Sequence, residues 1–298
     1  MGFELKLKRI DKKNWNQIRS HWLRHLPIID PIGTPPVESL SGHPLLASAV
    51  LGLTKDGEKK EDLKNLRSIL FHEAIFLLHK SINVLEASGS NFSEGFSTWS
   101  LSGGYQSAYF AAKSVLSFMG VTFPRVNGTD IILDGWPYPE ELKSKQKKLG
   151  VEPEILVKLI REHPIQHFHI WGTLKRIINT CDISTTLWPE AYTEFVSKID
   201  DFASQRNALH YSNYEWILND IHDRLIIPYF GTRPDFKSDL ARVNESTDDF
   251  SVLLSYVLIS LSYVLLEDIA KVAPAIKDEY ELVKRKLLRV NTFAFVTD

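Results

Sequence analysis

Apolar residues return at helical spacing over several long stretches of this chain and at strand spacing over only short ones. Leu63, Leu66, Ile69, Leu70, Ile75, Leu77, Leu78, Ile82 and Leu85 fall near one face, which predicts a helix from about residue 61, ended by Gly89. A second helix is predicted from about Phe96 through Tyr105, Ala108, Tyr109, Ala112, Val115, Leu116 and Met119, stopping at Gly120. Its small residues Ala108, Ala111 and Ala112 would let a neighbouring helix approach closely. Residues 246–272 form the last long apolar stretch, with Ser246-Thr-Asp-Asp suited to cap it and to meet the positive end of the helix dipole. Pro274 stops that helix, and a basic helix follows over 276–289.

Between these stretches the pattern is more broken. Residues 3–10 alternate apolar with polar side chains, the period of a half-buried strand. Trp15, Ile18, Trp22 and Leu23 fit a helix that Pro27, Pro31, Pro35 and Pro36 cannot continue, so residues 27–62 read as loop-rich. Asn127-Gly128 between two apolar runs is a hairpin signal, because both residues tolerate positive φ, and it predicts a small β insertion over 121–133. Lys143, Lys145, Lys147 and Lys148 suit a solvated helix, and Pro153 suits the first turn of the next one. Residues 165–180 are aromatic and amphipathic. Pro189 opens a helix through Tyr192, Phe195, Val196, Ile199, Phe202 and Ala203 that reaches Arg206 and His210, and a mixed connector follows over 213–244. The resulting fold class is mainly α: a helical bundle with a small β-hairpin insertion and additional peripheral helices.

Composition narrows the partners. The 298 residues carry a formal net charge of −2, so the molecule has no large basic field and any RNA contact must be local. The single cysteine, Cys181, cannot form an internal disulfide framework or a cysteine-rich zinc module, which fits a cytoplasmic protein. The N-terminus lacks the pattern of a secretory signal. The most apolar run, residues 252–266, is interrupted by serines and tyrosines and is shorter than the roughly 20 residues a membrane span requires, so it reads as a buried helix with no membrane role.

The chemistry-bearing residues are few. Arg206 and His210 stand four apart and share a face in a continuous helix. Arginine grips a phosphate through a planar fork and histidine moves a proton near neutral pH, so together they suit phosphodiester cleavage in which RNA supplies its own 2′-hydroxyl and no metal is needed. The same residues also read as a helix-end cation and an ion pair of Arg206 with Asp200 or Asp201. His163, His167 and His169 form a cluster interrupted by Pro164, and an aromatic packing face is favoured over metal. His72-Glu73 opens like a zinc-protease helix, but Phe76 stands where a second histidine is needed, and the glycines from Gly89 to Gly104 lack the closing Gly-Lys-Ser/Thr of a phosphate loop.

Two of these segments resemble the HEPN superfamily. Arg206, Asn207 and His210 match in kind its arginine, neighbouring polar residue and histidine, and Gly104-Tyr-Gln-Ser-Ala-Tyr-Phe-Ala-Ala-Lys-Ser-Val-Leu-Ser-Phe-Met-Gly120 is similar to its aromatic, alanine-rich second helix. Only three residues separate Arg206 from His210, one fewer than that family's usual minimum. The resemblance implies a HEPN-like helical body over 61–272 with an insertion at 121–188, preceded by a strand, helix and loop-rich segment over 1–60 and followed by the basic helix within 273–298. It further implies a homodimer that joins two Arg/His sets into a metal-independent endoribonuclease of a bacterial defence or toxin–antitoxin system, with Arg206, Asn207 and His210 catalytic and no cofactor. A noncatalytic interaction or dimerisation module within a defence assembly is the alternative. Some members are modified by a nucleotidyltransferase antitoxin on a tyrosine after the histidine, and Tyr211 is the nearest counterpart.

Overall fold

Two long helices joined by a glycine turn organise the molecule. The computed structural model describes residues 13–14, 44–53, 58–62, 66–134, 156–162, 164–182, 193, 198 and 250–289. Over these residues the chain is mainly helical, with a small antiparallel sheet set into it. The helices are α1 (Pro44–Leu51), α2 (Leu66–Ser93), α3 (Ser97–Phe118), α4 (His167–Thr180), α5 (Phe250–Val272) and α6 (Lys277–Arg289).

Gly95 reverses the chain between α2 and α3. Its φ of +87° is open to glycine at little cost, and it lets the Gly95 amide reach the Phe92 carbonyl while the Phe96 amide reaches Asn91 at 2.8 Å. The two helices then pack antiparallel with contacts that recur every seven residues. The Ser88 hydroxyl donates to the Ser100 carbonyl; Ser81 and Ser107 each donate to the other's carbonyl, at 2.8 and 2.9 Å; and Ser114 donates to Ala74 at 2.7 Å. Such bonds form only where backbones come close, and Gly103, Ala108, Ala111 and Ala112 supply the small side chains that permit it. Each bond contributes about 1 kcal/mol net, because the alternative partner is water.

Helix α5 packs mainly against α3 and also touches α2. A β-carbon added at Gly104 would stand 2.5 Å from Cγ2 of Val252, so this approach depends on glycine. The Ser255 hydroxyl donates to the Gly104 carbonyl at 2.8 Å from the same contact. Residues 251–262 of α5 are buried all round, as a helix apolar on every face requires. By length and composition Ser251–Lys271 could also cross a bilayer, but most of it is covered by protein. A 3₁₀ turn at Pro274–Ile276 follows, and α6 packs Val283 and Leu287 inward.

The strands are β1 (Lys13–Asn14), β2 (Glu58–Asp62), β3 (Val121–Thr122), β4 (Arg125–Val126), β5 (Thr129–Asp134), β6 (Leu156–Glu162) and β7 (Cys181–Asp182). The expected Asn127-Gly128 turn is present, with φ of +50° and +75° and Val126 paired to Thr129. The sheet around it is larger than a hairpin: its order is β2-β6-β5-β3, antiparallel throughout, with β4 also on β5. Ile131, Ile132, Leu133 and Leu159 bury it in the common core. Separately, β1 pairs in parallel with β7.

Three expectations change. Gly89 does not end α2, which runs to Ser93. The stretch 27–62 contains α1 and β2 within its described part. The segment after Pro153 contains strand β6, because pairing with β2 and β5 on both edges outweighs a short apolar run that fits either element. The expected strand at 3–10, the helices near 15–23 and 143–148, most of the helix from Pro189, the connector at 213–244 and the cap at 246–249 lie outside the described residues.

Candidate functional site

The residues that carry the phosphodiester reading, Arg206, Asn207, His210 and Tyr211, lie outside the described residues, as does His163. Among the described elements, α4 and β7 come before them in chain order and α5 after them. Among the described residues, three groups of polar side chains around α2 and α3 stand out.

The first joins α3 to α4. Tyr105 and Tyr109 stand one turn apart on α3, and His167 and Trp171 one turn apart on α4, so four rings meet at the helix crossing. The Trp171 indole N–H donates to the Tyr105 hydroxyl at 3.1 Å, and that hydroxyl lies 3.0 Å from Nδ1 of His167. The Tyr105 oxygen accepts the indole proton, and its bond with Nδ1 runs in the direction set by the His167 tautomer. The His167 ring stacks on Tyr109 at 4.1 Å between centroids and 14° between planes. His169 turns back instead, its Nδ1 accepting the Gln166 amide at 2.8 Å at the start of α4. Asp130 of β5 accepts the Ile165 amide at 3.2 Å and so ties the entry of α4 to the sheet. Among the described residues no three histidine, cysteine or carboxylate side chains converge as a metal ligand set. The expected aromatic packing face is what His167 helps to build.

The second joins α2 to α6. Nε2 of His79 lies 3.4 Å from a Glu279 carboxylate oxygen, and Lys286 donates to the Asn83 side-chain oxygen at 3.2 Å. Burial lowers the His79 pKa below the usual histidine value, and the Lys286 charge lowers it further, against an opposing pull from Glu279. Close by on α6, Tyr280 stacks on Tyr263 of α5 and accepts its hydroxyl proton at 3.0 Å; burial and this bond push the Tyr263 phenol far up.

The third lies along α2 and α3 beside β3. Lys80 Nζ stands 4.1 Å from the Phe110 ring centre and Lys113 Nζ 6.0 Å from that of Tyr109, and Glu73 is near enough to Lys113 for each charge to act on the other. Burial pushes the Glu73 carboxyl up and the Lys113 amine down, and each partly offsets the other through its charge. This group is not visible in the sequence because Glu73 and Lys113 are forty residues apart. The one available signal was a charged residue on the flank of each of two apolar helices.

No protein-family model, no curated protein and no solved structure matches the chain.

Proposed function

We propose that this chain is a divergent HEPN-like protein acting in the cytoplasm as a metal-independent endoribonuclease of a bacterial defence or toxin–antitoxin system. The observation that supports the reading is the order of parts. A close antiparallel pair, α2 and α3, is followed, after the sheet strands and α4 of the 121–188 insertion, by the segment bearing Arg206, Asn207 and His210 and then by the buried helix α5, the order the HEPN-like reading of 61–272 expects. In this reading Arg206 holds the scissile phosphate, Asn207 orients it, and His210 moves the proton of the attacking 2′-hydroxyl or of the leaving 5′-oxygen. A homodimer brings two such sets together, and Tyr211 is the position a nucleotidyltransferase antitoxin would modify.

The test is cleavage of a short RNA in the presence of chelator, beside the same oligonucleotide with 2′-deoxy sugars. The reading expects cutting of the ribose strand alone. Equal cutting of both strands would remove the proposed nucleophile. The spacing of Arg206 and His210, with three residues between, favours one alternative, a noncatalytic module that dimerises or holds a partner. Protein that dimerises, binds RNA or a partner and leaves every RNA intact would support that alternative.

A further inference from the structure

We infer that the accessible side of α3, with the adjoining residues of α2 and α4, binds an unpaired RNA strand, its bases stacking on exposed rings and its phosphates meeting lysines. The inference deepens the ribonuclease reading and rests on it for the choice of RNA. Its first support is where negative charge is missing. Neither α3 nor α4 carries an aspartate or a glutamate, whereas Lys113, Lys175 and Arg176 lie on them. Lys80 of α2 adds a cation at the same surface and pairs with no carboxylate among the described residues. Glu73 of α2 partly matches Lys113. In a chain of net charge −2, contact with a polyanion has to be local, and these two helices are positive on balance.

Aromatic side chains collect on the same surface. Among the described residues the exposed phenylalanines and tryptophans are Phe76 at 45%, Phe96 at 52%, Trp99 at 51% and Phe168 at 49%, all on α2, α3 and α4 or at the cap of α3. Along α3, Trp99, Gln106, Phe110 and Lys113 follow one another at seven, four and three residues and so share its accessible side. Lys80 Nζ stands 4.1 Å from the Phe110 ring centre, Tyr109 meets Phe110 edge to face at 5.8 Å, and His167 stacks on Tyr109 at 4.1 Å. These contacts make one strip across α2, α3 and α4. Phe76 precedes Lys80 by one turn and Phe168 follows His167, which sets an exposed ring beside each end of the strip. Lys175 lies two turns beyond Phe168 on the same face of α4.

The inner and outer rings do different things. Phe110 has the Lys80 ammonium over its face and Tyr109 has that of Lys113 at 6.0 Å, so these rings seat cations. An ammonium held in this way loses less freedom when a phosphate joins it. Phe76, Trp99 and Phe168 present the half-exposed rings on which bases stack, and such stacking accepts any base because every base has a π face. A duplex keeps its bases stacked within itself and offers this strip phosphates alone. Single exposed rings are ordinary on a protein surface. Four of them around an acid-free pair of helices, with lysines between, suit a strand that carries bases and phosphates together.

The probe is a short 2′-O-methyl oligoribonucleotide, which has no free 2′-hydroxyl and so binds without being cut. Its affinity for the full chain is read by fluorescence anisotropy over a range of salt, beside its duplex and beside polyglutamate. A 4-thiouridine within it maps the contact by photocrosslinking and peptide mass spectrometry. The inference expects the single strand to bind at least about tenfold tighter than the duplex or polyglutamate, and crosslinks to fall on α3 and α4. Phe168→Ala should weaken binding at least about fivefold, the lower end of what one stacked base contributes. Lys80→Ala should lower the slope of log affinity against log salt by about 0.7. No binding, equal binding of the duplex or of polyglutamate, or crosslinks confined to other segments overturns the inference, and none of these comparisons needs a variant to fold. Cleavage of ordinary RNA without contact at the strip overturns the inference and leaves the ribonuclease reading standing. Contact at the strip with every RNA left intact supports the inference and removes that reading.

Discussion

Helix α2 is held on one side by α3 and on another by α6, and the two contacts are built from different chemistry. Against α3 the backbones come close enough for serine hydroxyls to reach carbonyls across the seam, at 2.7 to 2.9 Å for Ser81, Ser107 and Ser114. Against α6 the reach is made by the ends of long side chains, with His79 to Glu279 at 3.4 Å and Lys286 to Asn83 at 3.2 Å. The serine bonds of the first contact are fixed by shape and carry no charge of their own, with Glu73 and Lys113 the titratable groups near its β3 end. The second joins a partly buried histidine to a carboxylate and a lysine, so it responds to pH. A protein can thus keep one register rigid while leaving a neighbouring helix open to adjustment.

The largest effect expected from breaking this contrast is at the close approach itself. Gly104→Ala gains about 1 kcal/mol of helix propensity but drives a β-carbon into Val252, whose branched side chain has little freedom to turn aside. Overpacking of this kind costs about 1–3 kcal/mol, so urea denaturation should show a net loss of stability. A gain would mean that α3 and α5 stand further apart than described. Next in size is Ser114→Ala, which removes the hydroxyl that Ala74 accepts; a loss of about 1 kcal/mol is expected, alike at acid and neutral pH.

The α6 contact should behave in the opposite way with pH. The His79 pKa is lowered in the folded chain, so the unfolded chain binds the proton more readily. The stabilisation is therefore fully present above the unfolded histidine value of about 6.5 and is lost as pH falls through the lower folded value. The urea midpoint of the wild type should drop over that window more than that of His79→Gln, and identical profiles would show that His79 contributes nothing. Smallest of all is Asn83→Ala, where an exposed pair is lost and the change should stay within about 0.5 kcal/mol.

How much of this was legible in the sequence follows from the range of the forces involved. Helices α3, α5 and α6 were readable because apolar spacing and the stops at Gly120 and Pro274 act over a few residues, and the Asn127-Gly128 turn was readable because it needs only two. Strand β2, Glu58-Lys-Lys-Glu-Asp62, was not: it has no apolar alternation and is a strand because β6 pairs with it. Gly89 misled for a related reason, since the Ser88 contact with Ser100 carries α2 through a residue that would weaken an isolated helix. The heptad spacing of Ser100, Ser107 and Ser114 was present in the sequence, yet its meaning required the partner positions on α2. For function, the Arg206, Asn207 and His210 pattern was legible as a motif, and its spatial arrangement lies outside the described residues. The Glu73 and Lys113 group emerges only when two helices are placed side by side.

The most direct test of the proposed function compares the wild type with the Arg206→Ala/His210→Ala double variant on a mixed RNA pool with chelator present, circular dichroism first establishing that both are folded. The account predicts cleavage by the wild type and none by the variant. Undiminished cleavage by the folded variant would contradict it.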